Sequence, residues 1–143
     1  MTLRILLVDD EPDILTTMED LLRQHLGMPA EVATASSGQE ARAMVERGPP
    51  FDAVIADERM PGMRGSELLA WLGEAHPGTL RVLMTAYAER VVRAEGAPRA
   101  DLLLFKPFQV PVMLQRLRAS LGPRLPPEPS KPARRGSLLP GAP

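Results

Sequence analysis

Short runs of almost unbroken apolar residues recur along the first 121 residues, and stripes of helical spacing fill the gaps between them. The runs are Leu3–Val8, Ala30–Ala35, residues 53–56, residues 80–84 and Leu102–Phe105. All but Ala30–Ala35 are nearly continuous in apolar side chains, as expected of strands covered on both faces of a parallel sheet. Ala30–Ala35 is more polar and suits a sheet edge. Between the runs, Ile14, Leu15, Met18, Leu21 and Leu22 form a helical stripe opened by Pro12, a favoured early helix residue. Ala41, Met44 and Val45 form a second, and Ser37-Gly38-Gln39-Glu40 before it fits a capping box. Leu68, Trp71, Leu72 and Ala75 keep the spacing in a third, and Val110, Met113, Leu114, Leu117 and Leu121 in the last. Residues 88–95 make a short helix candidate stopped by Gly96 and Pro98. Five strands alternating with five helices predict an α/β fold, a doubly wound five-stranded parallel sheet with right-handed crossovers. The strand order 2-1-3-4-5 is one of its two common solutions.

Composition removes several classes of function. The formal net charge is -1, so no global basic field recruits nucleic acid or acidic membrane. The absence of cysteine excludes disulfides, thiolate metal sites and cysteine nucleophiles. The run Leu3–Val8 is too short for a signal peptide and stops at three acids; no stretch approaches membrane-spanning length. The expectation is a cytoplasmic protein. Seven of the 16 prolines fall after Leu121, with almost no apolar periodicity between them. Such a segment cannot bury enough surface to offset its ordering entropy. The chain is therefore expected to divide into a domain at residues 1–121 and a disordered Pro-rich tail at 122–143.

The strand ends carry the chemistry. Ligands of open parallel sheets sit outside the carboxyl ends of the strands. After the first strand come Asp9, Asp10 and Glu11; after the third, Asp57; after the fourth, Thr85; after the fifth, Lys106. Two carboxylates about 4 Å apart repel by roughly 4 kcal/mol at an effective dielectric near 20. A cluster of three must protonate, splay apart or bind a cation. With oxygen ligands alone, the fitting cation is hard: magnesium, or manganese in its place. A hydroxyl and an ammonium on the same rim suit the oxygens of a phosphoryl group. Charge logic thus suggests metal-assisted phosphoryl chemistry on a carboxylate nucleophile.

Asp9-Asp10-Glu11-Pro12, Ile55-Ala56-Asp57-Glu58-Arg59-Met60-Pro61-Gly62-Met63-Arg64-Gly65, Met84-Thr85-Ala86 and Phe105-Lys106-Pro107-Phe108 resemble, in order and spacing, the receiver domains of two-component response regulators. The resemblance covers residues 3–121. It implies a flavodoxin-like fold and a phosphorelay switch rather than an enzyme, beyond self-catalysed transfer and loss of the phosphoryl group. Asp57 would be the phosphoacceptor. Asp10, Asp57 and the backbone carbonyl of Arg59 would hold magnesium, with Asp9 acting through water. Thr85 and Lys106 would hold the phosphoryl group, delivered by a phosphohistidine on a sensor histidine kinase. Output would go to a downstream protein partner, without direct nucleic-acid contact, since no effector domain follows Leu121. Homodimerisation on phosphorylation is a further habit of the family. Arg59 and Tyr87 would govern water access to the acyl phosphate, and their bulk implies slow decay.

Some residues invite plainer readings. Asp10 also suits a helix cap. Trp71, Met18, Met44 and Met113 read as packing, His25 and His76 as helix-end residues, and Asp52 as the entry to the third strand. Met60-Pro61-Gly62 and Gly65 read as turn chemistry. Leu103 departs from the family, which places an aromatic three residues before the lysine. An interaction module without regulated switching is therefore one alternative. A small phosphohydrolase with Asp9 as nucleophile is another, although the chain carries Asp9-Asp10-Glu11-Pro12 rather than an Asp-x-Asp pair.

Overall fold

A computed structural model of the 143-residue chain describes residues 2–86 and 100–124. In chain order the elements are β1 (Leu3–Val8), α1 (Pro12–His25), β2 (Ala30–Ala35), α2 (Gly38–Arg47), β3 (Ala53–Asp57), α3 (Gly65–Ala75), β4 (Leu80–Thr85), β5 (Leu102–Phe105) and α4 (Val110–Leu121). A 3-10 turn at Gly122–Arg124 follows α4. The five strands form one parallel sheet, as the strand pattern anticipated, and their order β2-β1-β3-β4-β5 is the one of the two common solutions expected of a flavodoxin-like fold. Four α-helices lie among the described residues. The short helix expected at 88–95 and the tail beyond Arg124 lie outside them.

The unbroken apolar runs have a direct cause. Side chains alternate across a strand, so a strand buried on both faces needs apolar residues at every position. In β1, Leu3, Ile5 and Leu7 pack with Met18 and Leu22 of α1 and Met113, Leu117 and Leu121 of α4. Leu6 and Val8 point the other way, into Ala41 and Val45 of α2 and Leu68, Leu69 and Leu72 of α3. The same alternation places Ile55 on the first face and Val54 and Ala56 on the second. Burying one such aliphatic side chain is worth about 1.5–3 kcal/mol.

Local details refine the sequence reading. Both β3 and β4 run one residue further than their apolar runs, because Asp57 pairs with Met84 and Thr85 with Phe105 in the parallel ladder. The edges are β2 and β5, and β5 is less covered than its apolar composition suggests: Phe105 is 45% exposed. The capping box on α2 is present but offset. The Ser37 side chain accepts the Glu40 N–H at 3.0 Å, while Glu40 reaches back to Ser36 rather than Ser37. These hydrogen bonds hold the Glu40 carboxyl below its ordinary range, even against its slight burial. At the sheet's opposite end, Asp52 and Asp101 accept the backbone N–H of Arg4 and Arg81, each at 2.8 Å. Asp52 thus ties β3 to β1 as its strand enters, away from the carboxyl rim.

Met18 and Met113 are buried, and Met44 packs at the core margin, as read from the sequence. Trp71 also packs there, with the Arg42 guanidinium 4.7 Å from its ring centroid and His76 edge-on at 5.7 Å. His25 lies in the last turn of α1, and His76 caps the C-terminus of α3.

Candidate functional site

The carboxyl ends of β1, β3, β4 and the start of the segment after β5 meet at one rim. Carboxylate oxygens of Asp9, Asp10 and Asp57 lie within 4.8 Å of one another. Asp9 and Asp57 are buried and Asp10 is exposed. The Lys106 Nζ stands 2.5 Å from Asp57 Oδ1, closing the cluster with a positive charge. Its backbone N–H donates to the Thr85 carbonyl at 2.9 Å, which anchors the end of β4 beside the start of this segment. The Lys106–Pro107 peptide bond is cis. Thr85 itself is buried at the end of β4. Five sequence candidates, Asp9, Asp10, Asp57, Thr85 and Lys106, are thereby brought together at the ends of four strands.

Asp9 is the electrostatic centre of this rim. Only 1% of it is exposed, and its Oδ1 accepts the Glu11 N–H at 3.0 Å. Its Oδ2 is buried without a hydrogen-bond partner among the described residues. Burial is the main reason that its carboxyl is pushed up to about 6; the nearby Asp57 and Asp10 charges push the same way, against the Glu11 N–H and Lys106. An orphaned, buried carboxylate oxygen beside two further carboxylates is a donor set for a hard cation. The three acids therefore fit magnesium, which takes oxygen ligands and tolerates retained water.

The pH dependence follows from linkage. Folded Asp9 holds its proton more tightly than the unfolded chain, so the native state carries more protons between about pH 4 and pH 6. Asp9 consequently contributes stability at low pH that is lost as pH rises through that window. A shift of this size corresponds to about 2–3 kcal/mol. Asp9→Asn is expected to make the metal-free protein more stable than wild type at neutral pH by about 2 kcal/mol. Its advantage should vanish near pH 4. Thermal denaturation in EDTA at both pH values checks this, and equal midpoints at neutral pH would refute it.

The helix that follows β1 is not capped by the residue that composition suggests. Glu11, not Asp10, occupies the cap position of α1, and its side chain makes no capping bond; Asp9 takes the Glu11 N–H instead. Gly62 in the loop after β3 has φ +79, the left-handed conformation that glycine adopts readily, in line with the turn reading. Gly65 is different. It opens α3 rather than turning the chain, and a Cβ there would lie 2.3 Å from the Asp57 carbonyl oxygen. Its requirement is close approach, not backbone conformation.

The response regulator receiver domain family matches residues 5–118. The chain belongs to this family. A response regulator receiver protein of Anaeromyxobacter sp. (strain Fw109-5) is 40% identical over 113 residues, covering 78% of this chain and 45% of that protein. The response regulator protein PilR of Pseudomonas aeruginosa is 36% identical over 118 residues, covering 80% of this chain and 24% of PilR. The chain thus spans less than half the length of these curated relatives. Among solved structures, the chemotaxis response regulator CheY4 of Vibrio cholerae matches with a TM-score of 0.71 at 29% identity, covering 83% of this chain and 98% of that one. TrrA of Thermotoga maritima, in complex with Mg(2+)-BeF, matches with a TM-score of 0.73 at 30% identity, covering 82% and 98%.

Receiver domains are signalling switches rather than conventional enzymes, and their family binds magnesium at an acidic pocket. In this receiver domain the departure at Leu103 has a clear placement. Leu103 packs at the margin of the α2/α3 core, and its carbonyl accepts Arg116 of α4 at 2.9 Å. Phe105, on the same face of β5 by alternation, belongs to neither core cluster. Arg59 lies exposed in the loop after β3, and Tyr87 falls outside the described residues. The strand-end pattern singled out Asp57 and passed over its neighbour Glu58. That side chain accepts both the backbone N–H and the hydroxyl of Ser66, at 2.8 and 3.0 Å. An acid followed eight residues later by a serine in the first turn of a helix was the available signal. None of the described helices is long and apolar enough to cross a membrane.

Proposed function

We propose that this receiver domain is a phosphorylation-driven switch in which Asp57 accepts a phosphoryl group from the phosphohistidine of a sensor histidine kinase. The observation that carries the reading is the Lys106–Asp57 ion pair set among the Asp9 and Asp10 carboxylates. An Asp57 carboxylate oxygen would attack phosphorus as the phosphorus–nitrogen bond breaks, giving an acyl phosphate on Asp57 and leaving the imidazole to take up a proton. Lys106 and the Thr85 hydroxyl would hold the phosphoryl oxygens. Asp9, Asp10, Asp57 and the Arg59 carbonyl would hold magnesium, which when bound supplies positive charge to the oxygens in flight. The switched state would then engage a downstream protein partner. We further assign the protein to the cytoplasm, without direct nucleic-acid or membrane contact, with residues 1–121 as the switch and the Pro-rich remainder as its tail.

The test is intact mass after incubation with a small acyl phosphate and magnesium. A single phosphoryl adduct is expected, absent without magnesium and absent from Asp57→Asn. No adduct on either protein would overturn the proposal and leave a receiver-like interaction module, which would bind its partner equally well as Asp57→Asn.

A further inference from the structure

The loop that follows Asp57 is closed by the backbone and side chain of Glu58. Glu58 donates its N–H to the Met84 carbonyl at 2.9 Å, which continues the β3–β4 ladder one step past Asp57. Its carbonyl accepts the Gly65 N–H at 3.2 Å, and its two carboxylate oxygens accept the Ser66 N–H and hydroxyl. Residues 59–64 are therefore a six-residue loop whose ends are tied by three hydrogen bonds to a single residue. The same bonds satisfy donors in the first turn of α3, where a negative charge is favourable. Glu58 is not part of the acidic cluster, which comprises Asp9, Asp10 and Asp57 among the described residues. Inside the loop, Met60 is buried in the core and Met63 lies against Gly38 at the start of α2.

From this arrangement we infer that Glu58 is a positioning residue for the cation site: through Ser66 it fixes the loop that contains Arg59, whose carbonyl the proposed function assigns to the cation. The inference rests on the proposed role of that rim in holding magnesium. Glu58 touches neither the metal nor the phosphoryl group. It acts by limiting how far the loop backbone departs from one geometry, as hydrogen-bonded supporting residues do in metal sites. A plain alternative is that Glu58 merely adds negative charge beside the cation.

The two are separated by titrating MgCl2 into the metal-free full chain by calorimetry, for wild type, Glu58→Ala, Glu58→Gln and Ser66→Ala. Glutamine keeps an acceptor for the Ser66 N–H but removes the charge. Glu58→Ala should weaken magnesium binding by about tenfold. Ser66→Ala, which keeps the charge and loses one bond, should weaken it by roughly threefold. Glu58→Gln should stay close to wild type. In the metal-free protein, Glu58→Ala should also speed amide exchange across residues 59–66, a readout independent of any ion. Equal losses in Glu58→Ala and Glu58→Gln, or wild-type affinity in Glu58→Ala, would overturn the inference. If Glu58→Ala does not fold, unchanged affinity in Ser66→Ala overturns it instead. Wild type failing to bind magnesium would count against the proposed metal site, a separate result.

Discussion

Lys106→Met is expected to destabilise the metal-free protein at neutral pH by about 3 kcal/mol, the scale seen when one partner of a buried ion pair is removed. The side chain of Asp57 is only 8% exposed and that of Lys106 26%, so the pair is screened far less than a surface salt bridge. Methionine keeps most of the apolar stem and removes the ammonium, which isolates the charge effect. Without Lys106, Asp57 would sit buried beside Asp9 and Asp10 with less positive charge to offset all three. The expected pH dependence follows from the sign of that change. Lys106 is one of the groups that hold the Asp9 carboxyl down, so losing it raises folded Asp9 further, and the native state binds still more protons than the unfolded chain. Stability then falls as pH rises through the carboxylate range. The deficit of Lys106→Met should therefore shrink toward about pH 4 and grow toward neutrality. Added magnesium should recover part of it, and Asp9→Asn in the same chain should recover more, because the two changes act on one charge cluster. Urea unfolding in EDTA at two pH values measures these differences. A pH-independent deficit would mean that Lys106 contributes by packing rather than by charge.

Gly65→Ala should cost about 3 kcal/mol, the upper end for overpacking, although it adds a single methyl group. The added Cβ would lie 2.3 Å from the Asp57 oxygen, 2.9 Å from its carbonyl carbon and 3.0 Å from Leu83 Cδ1. Two of these atoms are backbone of β3, held by pairing with β4, and the third belongs to a fully buried side chain. None can step aside cheaply. The helix must move instead, which loosens Leu68, Leu69 and Leu72 in the core and strains the Glu58–Ser66 bonds. Gly73→Ala, further along α3, is the internal control. There the crowding atom, at 2.4 Å, is the guanidinium end of Arg81, which can swing away. Alanine's helix propensity, worth about 1 kcal/mol over glycine, should offset much of that adjustment. Urea unfolding of the two variants checks the contrast; similar costs at both sites would refute the close-approach argument.

The sheet was readable from local pattern because alternation and helical spacing are properties of consecutive residues. Strand β1 shows why: Leu3, Ile5 and Leu7 serve one face, and Leu6 and Val8 the other, so burial on both sides demanded the run that marked it. The rim was readable for a related reason. Once the strands are parallel, Asp9, Asp57, Thr85 and Lys106 must emerge at one end, and topology converts sequence position into proximity. Phe105 was less predictable. Its apolar run looked like a covered strand, but an edge strand has a neighbour on one side alone, and the outer face of this side chain is left open.

By itself the sequence determined the five strands, the placement of helices between them and the group of polar residues at their carboxyl ends, since each is encoded in spacing along the chain. Tertiary structure decided the rest. It buried Asp9 with one oxygen unpaired among the described residues and left Asp10 beside it exposed, because burial depends on which neighbouring elements close over a residue. It set Glu58 onto Ser66, and it gave Gly65 its reason, the contact with Asp57. These features hang on how a loop closes and how near a helix approaches a strand. Such distances are set to within an ångström by packing from both faces of the sheet, and no local pattern carries them.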